Sequence, residues 1–464
     1  MALVESFSGV RGIYGKDLTE STAVNYAHSY CSFLRKKLKK ESVAVVIGRD
    51  ARLSGLSLSK AIIATLDCNF IDVGIAPTPA VEFAVRHFEA DGGIIITASH
   101  NEPYWNGFKF LSQDGSVLSG KEMGIVISSS RFLKNFHKIR ERRVAEKNSE
   151  AIKKYSDFIF RIIGRENIEK IKSSAQKVVI DPNGGAGIIA KEIVEQAGVN
   201  VTGVNMSYGE FNRTIESTED SLIYLKGIIE ENNADFAAAF DCDADRLEIL
   251  MGDGRLLSGN YILALAVEDA LSSISSPKGK AVVINNATSG IIKEIAKRFE
   301  AKVIDVEVGE TNVVQEMKKQ KAIIGGEGSS GGVIIPPSKC RDGILTLLSV
   351  LSIIAKSGKS LNELIKELPK YYTIKQKAEF KEPMHNKIKG CLKEHYSKKG
   401  FKMNESQEPK GSLKIITSDN SFVWFRASKT ESNVFRLIAD SNNKEESQKL
   451  MEEAVNVFSK ASQF

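Results

Sequence analysis

At 464 residues the chain is too long for a single hydrophobic core, and its 42% hydrophobic and 26% charged side chains exclude the disordered and fibrous classes. Its 64 basic residues against 58 acidic ones give a net charge of +6. The basic residues are interspersed with acidic ones rather than gathered in arms, which argues against a nucleic-acid partner and suits an anionic small molecule. Five scattered cysteines (Cys31, Cys68, Cys242, Cys340, Cys391) form no C-x-x-C pair and have no histidine at zinc-ligand spacing, so reduced thiols in a cytoplasmic protein are expected.

In chain order, the opening MALVESFSGVRG has no basic stretch followed by an apolar one. No later run approaches the ~20 apolar residues that span a bilayer. The expectation is a soluble, cytoplasmic protein with no membrane partner. Arg11 lies between glycines in SGVRGIYG (8–15), and the basic runs RKKLKK (35–40) and KIRERR (138–143) read as solvated helix faces. Three segments, 42–74, 177–205 and 280–309, each hold a β-branched run, a polar or glycine-bearing turn, an amphipathic stretch of about three turns and a second apolar run. They predict repeated βαβ units.

The stretch 130–163 reads as a charged helical connector. After NELIKELPKYY (362–372) the pattern turns to hairpin-like strands at 412–440 and a last amphipathic helix at 443–458. The expected fold is α/β: three related domains with mixed, largely parallel sheets, and a smaller C-terminal α+β domain, around a central cleft. The expected limits are 1–145, 146–252, 253–368 and 369–464.

Ligands of open parallel sheets bind outside the carboxyl ends of the strands, so the residues following each apolar run carry most information. After Gly93 to Ile96 come Thr97, Ser99, His100 and Asn101, with Asn106 and Lys109 close behind. A helix cap with an incidental histidine is the plainer alternative there. There is no G-x-S-x-G elbow.

In AAAFDCDADRLEIL (237–250) an apolar strand delivers Asp241, Asp243 and Asp245 at alternate positions, followed by Arg246. Three carboxylates on a tight loop make a site for a hard cation such as Mg²⁺, completed by a phosphate oxygen. The third cluster, GGEGSSGG (325–332), offers Glu327, Ser329 and Ser330 to sugar hydroxyls among glycines that permit close backbone approach. The fourth, FRASKTESNVFRL (425–437), groups Arg426, Ser428, Thr430 and Arg436, donors suited to a dianionic phosphate.

In this order the four clusters resemble the loops of the α-D-phosphohexomutase superfamily, across essentially the whole chain. TASHNEPYWNGFK resembles the family's phosphoserine segment, which makes Ser99 the carrier of the transferable phosphoryl group, surrounded by His100, Lys109 and Arg11. DCDADR resembles the family's DGDADR, which implies that Asp241, Asp243 and Asp245 hold one Mg²⁺ with an oxygen on Ser99, Arg246 lying beside them. GEGSS resembles the sugar-recognition loop, and RASKTES the phosphate-binding loop.

The resemblance implies a phosphomutase that interconverts hexose or hexosamine 1- and 6-phosphates through a bisphosphorylated sugar. A glucose 1,6-bisphosphate-type activator would load the serine. Cys242 replaces a glycine, Gly331 and Gly332 stand where bacterial relatives usually carry a histidine, and Lys429 and Ser432 replace a glycine and a proline. Two other readings stay open: an aspartyl phosphatase using Asp241 as nucleophile, and a non-catalytic sugar-phosphate binding protein. Neither the preferred sugar nor the choice between monomer and homo-oligomer is written in the sequence.

Overall fold

In the computed structural model, which describes residues 3–6, 9–131, 144–408, 410–418, 420–428 and 433–462, the apolar runs of the sequence become strands whose carboxyl ends carry the polar clusters. The chain divides into two units. One is built from residues 1–258 and 330–361, the other from 259–329 and 362–464.

The first unit holds two sheets. The larger has the strand order Val4–Ser6, Gly9–Ile13, Trp105–Leu111, Gly92–Ile96, Ala44–Arg49, Asn69–Ile75, Val144–Glu146. Its last four strands are mutually parallel, and the other joins are antiparallel. Val45, Val46, Ile47 and Ile94 to Ile96 have no exposure, as expected of strands covered on both faces. The connector read as helical contains a strand among its described residues: Val144–Glu146 pairs in parallel with Asn69–Ile75, and the helix Asn148–Ile163 follows it. The run 35–40 lies at the end of the helix Glu20–Leu38, where lysines and an arginine complement the helix dipole. The run 138–143 lies outside the described residues.

The smaller sheet has the order Leu256–Leu257, Leu247–Met251, Phe236–Phe240, Lys177–Asp181, Asn200–Gly203. Phe236–Phe240 is buried along its whole length between a parallel and an antiparallel neighbour. The three-turn helix expected after Lys177–Asp181 is a 3₁₀ turn, Ala186–Ile189, running into the short helix Ala190–Gln196.

The apolar helix Gly343–Ser357 also belongs to this unit and packs against Asn148–Ile163 and Arg165–Ser173. Asp342 caps it by accepting from Leu345 N–H at 2.9 Å, an interaction worth ~1 kcal/mol. The Tyr155 hydroxyl donates to the same carboxylate at 2.9 Å. No single helix among the described residues is long and apolar enough to cross a membrane.

In the second unit Lys302–Val306, Ala281–Asn285 and Ile324–Gly326 lie side by side in parallel. The C-terminal part is an antiparallel sheet in the order Tyr372–Glu379, Val434–Ser441, Ser421–Ala427, Leu413–Ser418, Lys402–Glu405. The helices His385–Lys398 and Lys444–Ser462 cover one apolar face through Ile388, Leu392, Tyr396, Met451 and Phe458. This is the expected α+β arrangement. Lys414 is buried within it: its ammonium lies 3.8 Å from the centre of the Phe422 ring and 3.6 Å from Asp305, which also pairs with Lys293 at 2.9 Å. Burial lowers the Lys414 ammonium to about 8, against the opposing pull of Asp305.

Candidate active site

Ser99 stands directly beyond the central strand Gly92–Ile96, with φ at +51°. A left-handed conformation at a non-glycine residue costs ~1–2 kcal/mol, so it persists only where the surroundings enforce it. They do so here from two sides. The Thr97 hydroxyl accepts the Ser99 N–H at 2.8 Å, and the Arg52 guanidinium donates to the Ser99 carbonyl at 2.8 Å and to the Asn101 carbonyl. Arg52 is itself buried and paired with Asp50. The result is a hydroxyl whose Oγ lies 3.4 Å from Asp241 Oδ2.

Asp241, Asp243 and Asp245 are all buried, and each offers a carboxylate oxygen within 4.8 Å of the others'. Burial, and then repulsion from Asp245 and Asp243, raises the Asp241 carboxyl well above its usual range. Burial also acts to raise Asp245, but the charges of Arg341, Lys109 and Arg246 outweigh it and hold that carboxyl low. Lys109 Nζ is 2.8 Å from Asp243 Oδ2 and 3.3 Å from Asp245 Oδ2, and Arg341 Nη2 is 3.1 Å from Asp245 Oδ2. Arg246 Nε lies 3.8 Å from Asp241 and 3.7 Å from Asp245.

Asp243 Oδ1 and Asp245 Oδ1 are buried with no hydrogen-bond partner among the described residues. Such oxygens are costly to leave bare, and three converging carboxylates with spare lone pairs fit a hard divalent cation. The triad is thus a site that can hold a metal.

The remaining residues expected near Ser99 are placed unevenly. Arg11, on the strand Gly9–Ile13, donates to Asn101 Oδ1 at 3.0 Å. His100 is held neutral: burial, with Arg246 and Arg11 adjacent, pushes its imidazole down to about 2. The Asn106 amide donates to Ser54 Oγ at 2.8 Å, and its oxygen accepts the Gly107 N–H at 2.8 Å.

Part of the glycine-rich loop packs on the loop that carries the three aspartates. Gly331 exchanges backbone hydrogen bonds with Leu247, and the Gly343 N–H donates to the Ala244 carbonyl at 3.1 Å. A Cβ at Gly332 would meet the Asp245 carbonyl at 2.5 Å, and one at Gly343 the Arg246 carbonyl at 2.7 Å. Those glycines are needed for backbone packed on backbone, which accounts for the absence of a larger side chain at 332. Three site residues escape the sequence reading: Arg52, Arg341 and Thr78, whose hydroxyl donates to Asp243 Oδ2 at 2.7 Å. The signal for two of them was present, because Arg52 and Thr78 each follow a parallel strand within a few residues of its carboxyl end.

In the second unit, Glu327 is buried at the exit of Ile324–Gly326 and accepts from Asn285 Nδ2 at 2.7 Å and from the Gly309 N–H at 3.0 Å. Arg426 is buried at the end of Ser421–Ala427, with Nε 3.2 Å from Glu307 Oε1. Glu307 in turn accepts from the Ser412 hydroxyl at 2.7 Å. The Ser428 N–H donates to the Val434 carbonyl at 2.7 Å, and Arg436 is exposed directly across the ladder from Arg426. Ser329 is exposed and closes the 259–329 segment, whereas Ser330 is buried in the first unit. Thr430 lies outside the described residues.

Residues 5–130, 153–254 and 258–372 match the phosphoglucomutase/phosphomannomutase alpha/beta/alpha domains I, II and III respectively. The chain is 36% identical over 460 residues to a phosphoglucomutase/phosphomannomutase of Thermococcus kodakarensis, covering 98% of each protein. It is 29% identical over 459 residues to a phosphoglucosamine/phosphogalactosamine mutase of Sulfurisphaera tokodaii, covering 96% of each. A crystal structure of a phosphoglucomutase/phosphomannomutase family protein from Burkholderia thailandensis superposes with a TM-score of 0.79 at 20% identity, covering 99% of this chain and 97% of that one. Matched along its length in both sequence and fold, the chain belongs to the phosphoglucomutase/phosphomannomutase family of the α-D-phosphohexomutase superfamily.

Proposed function

We propose that this chain is a phosphohexomutase in which Ser99 carries the phosphoryl group exchanged between the 1- and 6-positions of a hexose or hexosamine phosphate. The observation that supports it most directly is the juxtaposition of a conformationally enforced Ser99 with a buried triad that can hold a metal.

In the forward half-reaction a sugar hydroxyl oxygen attacks the phosphorus on Ser99 Oγ. The P–Oγ bond breaks, and the proton of the sugar hydroxyl ends on Ser99, giving a bisphosphorylated sugar. The sugar turns around, and its other phosphoryl group returns to Ser99 by the reverse exchange. Asp241, Asp243 and Asp245 would hold Mg²⁺, which when bound supplies Lewis-acid stabilisation of charge on the transferring group. Lys109, Arg246 and Arg11 add fixed positive charge, and His100, neutral across the working pH range, offers a hydrogen bond rather than a charge.

Glu327, with Ser329 and Ser330, would recognise the sugar, while Arg426, Ser428, Thr430 and Arg436 would grip the phosphate that is not reacting. A bisphosphate activator of the glucose 1,6-bisphosphate type would load Ser99. The four-domain division at residues 145, 252 and 368, and a cytoplasmic location, belong to the same proposal.

The test is to incubate the chain and Ser99→Ala with Mg²⁺, a trace of glucose 1,6-bisphosphate, and the 1-phosphates of glucose, mannose and glucosamine, following the 6-phosphates by phosphorus NMR. Conversion by the parent and none by the variant is expected. Turnover in Ser99→Ala would reject the serine carrier, and a label that hydroxylamine removes would point to Asp241 instead.

A further inference from the structure

Asp243 and Asp245 share a pattern: on each, Oδ2 is held by protein donors and, among the described residues, Oδ1 has no hydrogen-bond partner, Arg246 Nε standing 3.7 Å from the Oδ1 of Asp245. On Asp245 the holders are the cations Lys109 and Arg341. On Asp243 they are Lys109 and a neutral group, the Thr78 hydroxyl, which donates to Oδ2 at 2.7 Å. Thr78 is also the first residue of the helix Thr78–His87, and its N–H donates to the Asp243 carbonyl at 2.9 Å. The same residue thus fixes Asp243 at both main chain and side chain, and it does so from 165 residues away. Lys109 Nζ is 3.4 Å from the Thr78 hydroxyl, so the lysine, the threonine and Asp243 Oδ2 form one closed cluster.

A carboxylate is free to rotate about its terminal torsion, which is broad and roughly two-fold. With one oxygen taken by two donors that rotation is stopped, and the other oxygen has a single direction to face. We propose that Thr78 is a positioning residue for the metal site: by holding Asp243 Oδ2 it sets the carboxylate so that Oδ1 alone is presented to the divalent cation. The proposal rests on the reading of the triad as the metal site.

Groups that orient metal ligands in this way typically change metal affinity when they are lost, and the hydroxyl can be removed without altering side-chain shape. The experiment compares the full chain with Thr78→Val, Thr78→Ser and Asp243→Asn, titrating each with Mn²⁺ and reading the free ion by electron paramagnetic resonance, alongside melting in EDTA. Thr78→Val is expected to bind Mn²⁺ ~10–100-fold more weakly than the parent, with Thr78→Ser recovering most of the affinity. Its melting in EDTA should stay close to the parent's, because the helix start and the N–H bond are kept.

Unchanged Mn²⁺ affinity in Thr78→Val would overturn the proposal, and so would a variant that melts early yet binds normally, since that marks a packing role. If the valine variant does not fold, Thr78→Ala removes the same hydroxyl and is held to the same affinity criterion. A parent that binds no Mn²⁺, or an Asp243→Asn variant that binds as the parent does, would overturn the metal reading and the role of Thr78 with it.

Discussion

The triad in the first unit and the arginine-bearing strands of the second differ in how their charged residues are brought together. Around Asp241, Asp243 and Asp245 the partners come from far along the chain: Ser99, Lys109, Thr78 and Arg341 lie between 96 and 165 residues from the aspartates they contact. Arg426 and Arg436 are neighbours across one antiparallel ladder, aligned by the register of Ser421–Ala427 with Val434–Ser441, although Arg426 also pairs with the distant Glu307. The difference sorts the work. On the proposed function, the buried charges of the first site are assembled from several elements, whereas the two arginines that would grip the phosphate are aligned along a single ladder.

If so, damage to the first region should appear in kcat and damage to the second in KM. The largest effect is expected for Ser99→Ala, a loss of about 10³-fold or more in turnover with sugar-phosphate binding retained, because no other group carries the phosphoryl. Rapid quench with labelled bisphosphate checks it: label retained on the variant protein would break the assignment. Next comes Asp243→Asn, with kcat reduced ~10²–10³-fold, the size seen when one preorganised electrostatic group is removed. Treatment of the parent with EDTA should reproduce that loss, and restored Mg²⁺ should rescue the parent but not the variant.

On the other side of the comparison, Arg426→Met should raise KM by roughly 10–100-fold, corresponding to ~1.5–3 kcal/mol for a charge-assisted hydrogen bond, with kcat little changed. Steady-state kinetics decide this, and an equal fall in kcat would erase the distinction between the two regions.

The last effect falls on stability rather than on turnover and concerns Lys414. Its ammonium is lowered to about 8 in the folded chain, below the ~10.4 of an unperturbed lysine, so between those values the unfolded state binds more protons. Stability relative to Lys414→Met should therefore rise as pH increases from about 8 to about 10.4 and be flat below 8. Urea unfolding of both chains across that range measures it, and a flat difference would show that the burial of Lys414 carries no proton linkage.

What the sequence made legible was whatever a local pattern can carry. The apolar runs before Thr97 and before Asp241 announce buried strands, and the alternation of Asp241, Asp243 and Asp245 announces a carboxylate triad that can hold a cation, because both depend on residues within one segment. The strand Val144–Glu146 was missed inside a highly charged stretch: it is a three-residue edge strand with little apolar signal of its own.

Arg52, Thr78 and Arg341 were missed for a different reason. Their chemistry exists only once distant segments meet, and single polar residues after a strand look like ordinary turns until then. The glycines of the loop 325–332 announce a close backbone approach without saying to what. For Gly332 the close neighbour is the backbone of the metal loop, a constraint that no periodicity encodes.

The path of the chain through its two units bears on the order in which they form. The first unit is interrupted: residues 330–361 return to it only after the whole of 259–329 has been made. The helix Gly343–Ser357, its Asp342 cap and the Gly343 N–H that meets Ala244 therefore reach the metal loop late. At the ~5–20 residues per second of synthesis, about 5–20 s separate residue 258 from the end of that helix. During that interval the nascent unit lacks the segment that packs on its aspartate-bearing loop, which leaves that loop open to a chaperone or a protease.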